Sequence, residues 1–218
     1  MTASQTSLAP TDANTILDLM DVICSVLLSA EEELNALDRA IGDGDHGSNL
    51  ARASRGLSQL RPELIALPLG EAVTRAGRTV VMSVGGASGP LYGTLLMEMG
   101  KALPEQPALS DWAVAFTAGV VGVAKRGRSA EGEKTMLDVL MPAAKALDEK
   151  AANATPAEAV KSMVEAATGG FDASRSLRAK RGRAAYVGER AVGHDDPGAR
   201  SAMLCISTIA KFISEKTG

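Results

Sequence analysis

The chain has 218 residues, and its 23 lysines and arginines against 26 aspartates and glutamates leave a net charge of −3. This balance argues against a strongly basic nucleic-acid binder, and the lack of a long apolar run argues against a membrane span. The first residues lack a basic, apolar leader, and both cysteines sit in apolar runs as reduced core thiols do. The sequence therefore predicts a cytoplasmic protein.

Helical periodicity dominates, and no strand pattern of convincing length is present. Short connections make consecutive helices antiparallel neighbours, so we predict an all-α fold, a closed up-and-down bundle of eight helices. Residues 1–10 are expected to form a flexible tail and residues 11–218 a single domain. The predicted helices span residues 11–37, 48–60, 69–84, 90–103, 110–124, 133–150, 155–178 and 197 onward.

The 22 glycines are unusual for a helical chain, and many of them cluster at four connections. In an up-and-down bundle every second connection lies at the same end. These four connections join predicted helices one to two, three to four, five to six and seven to eight, so they are every second connection. We therefore expect all four to converge on one end, where the backbone approaches a ligand. The groups are Gly42, Gly44 and Gly47; Gly85, Gly86 and Gly89; Gly127 and Gly132; and Gly182, Gly188, Gly193 and Gly198.

The first of these loops carries three carboxylates, Asp38, Asp43 and Asp45, within eight residues. They repel one another unless a cation neutralises them, and hard oxygen ligands on a glycine-rich turn suit Mg²⁺. The alternative is a solvated acidic turn in which Asp45 caps the next helix. A dinucleotide fingerprint is excluded, because no strand precedes the Gly-x-Gly-x-x-Gly match.

The other loops are ambiguous individually. Residues 83–90 are mostly small and precede a predicted helix. This pattern is typical of an anion site at a helix N-terminus, and equally of an ordinary turn between helices. Lys134 is read as a phosphate contact or a surface charge, and Met136 as core or a flat surface for a base. The basic stretch 175–190 could face phosphate, RNA or an acidic partner, while His194 is read as structural and Asp196 as a helix cap.

Together the four loops resemble the nucleotide-binding L subunit of dihydroxyacetone kinases. The resemblance lies in Ile-Gly-Asp-Gly-Asp-His-Gly (41–47), Gly-Gly-Ala-Ser-Gly-Pro-Leu-Tyr-Gly-Thr (85–94), Glu-Lys-Thr-Met-Leu-Asp (133–138) and the glycine- and arginine-rich segment 182–199. It implies an eight-helix barrel with ADP or ATP at one end, and two Mg²⁺ held by Asp38, Asp43 and Asp45. It further implies that the nucleotide is surrounded by His46, Gly47, Ser48, Asn49, Ala87, Ser88, Gly127, Met136, Arg183, Asp195, Asp196 and Pro197, with Ser88 and Arg183 as phosphate contacts.

The resemblance also implies an enzyme made of several chains. A separate K subunit would hold the short ketose, dihydroxyacetone or a relative such as erythrulose, so we assign no catalytic base to this chain. The donor is either exchangeable ATP or, as we favour, bound ADP that an M-type phosphocarrier fed from phosphoenolpyruvate rephosphorylates. A regulatory module that binds a transcription regulator is a further alternative, and self-association is left open.

Overall fold

The computed structural model describes residues 13–83 and 85–217. The predicted tail, residues 1–10, lies outside the described residues, and the single-domain boundaries stay a prediction. Regular secondary structure in the described part is helical throughout. The helices are α1 (Ala13–Ser29), α2 (Glu31–Ile41), α3 (His46–Leu64), α4 (Leu69–Ser83), α5 (Ser88–Ala102), α6 (Leu109–Gly127), α7 (Leu137–Ala151), α8 (Pro156–Ser174), α9 (Ala184–Val187) and α10 (Pro197–Thr217), with a 3-10 turn at Gly188–Ala191.

The long helices form a closed ring. Each one from α3 to α8 packs against the next in the chain, and α10 packs against both α8 and α1. The prediction of an all-α, up-and-down bundle is therefore confirmed, with α1 and α2 as two halves of its first helix. None of the described helices combines the length and apolarity needed to cross a membrane.

At the end of the bundle that carries the glycine loops, three helix boundaries differ by four residues from the predicted ones. Helix α2 continues past residue 37 to Ile41, which places Asp38 on its last turn. Helix α7 begins at Leu137 rather than 133, because Lys134 has a left-handed φ of +61°. Helix α8 ends at Ser174, and the segment from there to α10 holds only α9 and the 3-10 turn.

The chain has few aromatic residues, and glycines lie at a close contact between two of its helices. Helices α4 and α5 pack backbone against backbone: an added Cβ at Gly77 would lie 2.7 Å from the Gly93 carbonyl oxygen, and one at Gly93 would lie 2.7 Å from that of Gly77. Gly70 and Gly100 make the same kind of contact one heptad away. These four glycines therefore allow close helix packing. The interpretation of glycines as loop residues applies only to part of the 22 glycines of the chain.

Candidate functional site

Four loops converge on a cavity of about 410 Å³ at one end of the bundle. They are loop one (residues 42–45), loop two (85–87), loop three (128–136) and loop four (175–196). Each of them, with the adjoining helix ends, contributes to the lining. A second, more open groove of about 670 Å³ lies at the opposite end, between α3, α4 and α5, with Arg75, Arg78, Glu63 and Glu71 among its lining residues.

An acidic cluster forms one part of the cavity. Asp38 is buried on the last turn of α2, and its Oδ2 accepts hydrogen bonds from the backbone N–H groups of Asp45 (2.8 Å) and His46 (3.1 Å). Loop one folds this closely because residue 42 is glycine, where a Cβ would lie 2.1 Å from Asp38 Oδ1. Carboxylate oxygens of Asp38, Asp43 and Asp45 lie within 4.8 Å of one another.

The cluster has the donor chemistry and spacing for Mg²⁺. This ion takes oxygen ligands at about 2.0–2.1 Å, so two ligands of one ion lie within about 4.2 Å of each other. Asp43 and Asp45 are exposed, and a small adjustment of their side chains meets that limit. Asp45 is also oriented from α3, because Asn49 Nδ2 donates to its Oδ1 at 2.8 Å.

His46 lies at the centre of a hydrogen-bond network that ties three helices together beside the acidic cluster. Its Nδ1 is 2.9 Å from the Ser88 hydroxyl on α5, and its Nε2 is 2.9 Å from the Ser201 hydroxyl on α10. Tyr92 joins the network, with its hydroxyl 2.7 Å from that of Ser201. Burial lowers the pKa of His46, so the ring is held neutral and positions the first turns of α3, α5 and α10.

The rest of the cavity is largely apolar. Leu91, Val123, Met136 and Leu137 line it, and we call these four the apolar wall. Met136 and Leu137 are buried in the main hydrophobic cluster as well. The site therefore joins a carboxylate cluster to an apolar surface within a single cavity, as a ligand with one charged and one flat apolar part requires.

Of the two alternatives offered for Lys134, the surface charge is wrong, because its side chain is buried at the cavity lining; the phosphate contact stays a prediction. Its side chain is fully buried, and Nζ donates to the carbonyl oxygens of Ser174 (2.9 Å), Arg175 (3.0 Å) and His194 (2.7 Å). The first two are carbonyls at the C-terminal end of α8, where a cation is favourable. Lys134 thus fastens loop three to both ends of loop four.

Asp196 and Asp195 have different surroundings despite being neighbours. Asp196 lines the cavity and caps α10, as its Oδ2 accepts the Ala199 N–H at 2.7 Å, and burial raises its pKa to about 7. Asp195 does not line the cavity, and both its oxygens accept from Arg175, at 2.8 and 2.9 Å. That hydrogen-bonded guanidinium holds the pKa of Asp195 below its usual value.

Most of the residues singled out from the sequence come together in the cavity. Those that line it are Asp38, Asp43, Asp45, His46, Asn49, Ala87, Ser88, Gly127, Met136, Arg183, Asp196 and Pro197. Besides Asp195, the lining leaves out Gly47 and Ser48, which face α2. A Cβ at Gly47 would lie 2.0 Å from the Glu31 carbonyl oxygen, and the Ser48 hydroxyl hydrogen-bonds to Glu31 and Asn35.

Sequence reasoning missed two sets of residues at the site. The apolar wall residues Leu91, Val123 and Leu137 look like ordinary core positions in the helical pattern. Ser201 lies 155 residues from His46, and its position inside α10 carries no local signal. The contacts of Ser201 with His46 and with Tyr92 form only when the ring of helices closes.

Comparisons with known proteins agree with the geometry of the site. The DAK2 domain family matches residues 40–211. The chain is 42% identical over 172 residues to the PEP-dependent dihydroxyacetone kinase 1, ADP-binding subunit DhaL, of Listeria innocua, covering 78% of this chain and 82% of that subunit. It is 36% identical over 199 residues to the PEP-dependent dihydroxyacetone kinase, ADP-binding subunit DhaL, of Escherichia coli K12, covering 88% and 93%.

A solved structure shares the fold. The native dihydroxyacetone kinase of C. freundii matches with a TM-score of 0.74 at 25% identity, over 97% of this chain and 36% of that one. The same kinase in complex with AMP-PNP and Mg²⁺ gives a TM-score of 0.75 at 24% identity. This chain therefore spans about a third of the length of that kinase. The family match and the two bacterial relatives confirm the resemblance found in the sequence: the chain belongs to the DAK2-domain family, together with the DhaL subunits of dihydroxyacetone kinases.

Proposed function

We propose that the chain is the nucleotide-binding subunit of a short-chain ketose kinase, with dihydroxyacetone as the default substrate. The observation that carries the proposal is the pairing of a three-carboxylate cluster with an apolar wall in one cavity built by four loops. Metal and phosphates would occupy the acidic part, and the base would lie on the apolar wall. The two bacterial relatives, both ADP-binding subunits by name, support this reading.

Asp38, Asp43 and Asp45 would hold the metal, with two Mg²⁺ expected from the family resemblance. Bound Mg²⁺ would neutralise phosphate charge and polarise the transferred phosphoryl group. The chain's own part is to orient the ligands: two backbone N–H groups fix Asp38, and Asn49 fixes Asp45. This rigidity matters because phosphoryl transfer depends on positioning and electrostatic stabilisation more than on covalent chemistry.

The nucleotide would be held by groups from all four loops. The first turn of α5, from Ser88, offers free backbone N–H groups to a phosphate. The Ser88 hydroxyl is shared with His46, which keeps that turn aligned with loop one. Arg183 supplies a cation, and Met136 a flat surface for the base. Backbone contacts from Ala87, Gly127 and the Asp196–Pro197 pair would close the site.

A separate K-type subunit would present the ketose. Two large exposed side chains lie on segments that lead to the cavity lining, in agreement with a partner docking at this end. Tyr186 on α9 is 90% exposed, three residues after Arg183, and Met82 on the last turn of α4 is 86% exposed. As phosphoryl donor we favour bound ADP that an M-type phosphocarrier recharges, because both bacterial relatives are PEP-dependent by name.

The test is reconstitution of ketose phosphorylation with a K-type subunit of this family. We expect ketose phosphate to form only when this chain, the K-type subunit and a phosphorylated carrier are all present. Asp38→Asn should lower the rate about a hundredfold or more, because it removes a metal ligand. Glu32→Gln on the same helix, where the glutamate is exposed and paired with Arg39, should leave the rate unchanged.

Two results would count against the proposal. Full activity of Asp38→Asn would remove the metal assignment and with it the kinase reading. Rapid turnover with ATP and no carrier would contradict the favoured donor, and would assign the chain to an ATP-dependent two-subunit kinase.

A further inference from the structure

A cation from loop four contacts the acidic cluster. Arg183 Nη2 is 2.8 Å from Asp43 Oδ2, and Asp43 is one of the three carboxylates that face one another. A guanidinium keeps its charge at all relevant pH values, so Arg183 always presents a cation to this carboxylate. Arg183 therefore competes for Asp43 with any divalent cation that the cluster binds.

This ion pair is built to exchange partners more easily than the other aspartate contacts. The side chains of Arg183 and Asp43 are 65% and 37% exposed, and ion pairs in such surroundings are weak. Asp38, in contrast, is buried and fixed by two backbone N–H groups. The backbone before Arg183 is unobstructed too, since a Cβ at Gly182 would meet nothing within 4 Å.

We infer that Arg183 is an exchangeable counter-ion for Asp43: it neutralises this carboxylate until a divalent cation takes it, and it then turns to the phosphates that accompany the cation. The inference rests on the proposed function, in which the cavity binds a metal–nucleotide complex. It gives Arg183 two successive partners, a carboxylate and then a phosphate, whereas the family resemblance alone gives it one.

The exchange predicts that loss of Arg183 acts in opposite directions on two ligands. Without the guanidinium, the cluster has no competitor for Asp43, so a metal alone binds more tightly. Without its charge the phosphates lose a partner, so the nucleotide binds more weakly. A residue that merely supported the fold would weaken both, and one that contacted only phosphate would leave the affinity for metal alone unchanged.

The experiment measures Mn²⁺ affinity from the electron paramagnetic resonance of the free ion, first alone and then with ADP, for the full chain. For Arg183→Gln we expect affinity for Mn²⁺ alone to rise about two- to fivefold. We expect affinity for ADP at saturating Mn²⁺ to fall roughly tenfold, as loss of a charge-assisted contact does. Arg183→Lys, which keeps the charge, should recover part of the ADP affinity and show no gain for Mn²⁺ alone.

Arg181→Gln is the matched control. Arg181 lines the same cavity and carries the same charge, but it pairs with Glu133 at 3.4 Å rather than with an aspartate of the cluster. Its removal should change affinity for Mn²⁺ alone by less than about 1.5-fold, since more distant exposed charges are screened. Thermal unfolding of each variant checks that the fold is retained.

Three outcomes would overturn the inference. An unchanged or weakened affinity of Arg183→Gln for Mn²⁺ alone removes the competition with metal. An equal gain in Arg181→Gln assigns the effect to general charge. If either of these results is found while the wild-type chain binds Mn²⁺–ADP normally, the proposed function stands and only the exchange of partners by Arg183 fails. If the wild-type chain binds neither Mn²⁺ nor Mn²⁺–ADP, the proposed function and the exchange both fail.

Discussion

At the scale of single residues, the site depends on side chains that turn toward the chain's own backbone. Asp38 accepts two N–H groups of loop one, and Lys134 donates to three carbonyls of the segment between α8 and α10. A buried ammonium is costly unless its hydrogen bonds are satisfied. Lys134 meets this requirement with backbone oxygens and the C-terminal dipole of α8, and burial lowers its pKa.

The role of Lys134 leads to a stability prediction. Lys134→Met keeps the length of the side chain but leaves three buried carbonyl oxygens without this donor, so the free energy of unfolding should fall by about 2–4 kcal/mol. Lys161→Met on the exposed surface of α8 should change it by less than about 0.5 kcal/mol. Urea titration of both variants makes the measurement, and equal stabilities would show that the Lys134 contacts contribute nothing.

The aspartate cluster and Lys134 also show what the sequence can reveal about a site. Asp38, Asp43 and Asp45 lie within eight residues, so their clustering is visible in the sequence and their chemistry suggests a cation. Lys134 meets partners 40, 41 and 60 residues away. Its left-handed backbone is uncommon for lysine and has no pattern that predicts it. Its role therefore required the tertiary structure.

At the scale of helices, the sequence predicts well which helices exist and in what order they follow, but it predicts their first and last residues less well. Apolar periodicity locates the long helices, because burial of one face is what stabilises them. It fails at residues 133–136, where Asp138 holds the chain in a turn by accepting the N–H groups of Gly132 and Thr135. It also gives no indication of the close α4–α5 contact, since glycine has no side chain to enter an apolar pattern.

The α4–α5 contact predicts opposite effects for two helical glycines. Gly77→Ala places a methyl group 2.7 Å from a carbonyl oxygen of α5, and should lower the free energy of unfolding by about 1–3 kcal/mol. Gly169→Ala on exposed α8 meets nothing within 4 Å, and should raise it by about 0.5–1 kcal/mol through helix propensity. Thermal melts of the two variants give the signs, and a stabilised Gly77→Ala would contradict backbone-to-backbone packing.

At the scale of the whole molecule, consecutive helices run in opposite directions, and this explains why the site lies at one end of the bundle. Glycine loops at every second connection must converge, and loops one to four do line a single cavity. Ring closure by α10 against α8 and α1 then supplies the His46–Ser201 contact, which the sequence hides. The net charge of −3 likewise conceals a local arrangement, in which an arginine from loop four reaches an aspartate of loop one.

The central claim is that this end of the bundle binds a nucleotide through metal held by three aspartates. The most direct test is a crystal structure of the chain grown with ADP and Mn²⁺, with anomalous scattering used to locate the metal. We expect Mn²⁺ within bonding distance of Asp38, Asp43 and Asp45, phosphates beside it, and the base against Met136. Mn²⁺ elsewhere, or ADP in the groove lined by Arg75 and Arg78 at the opposite end, would contradict the account.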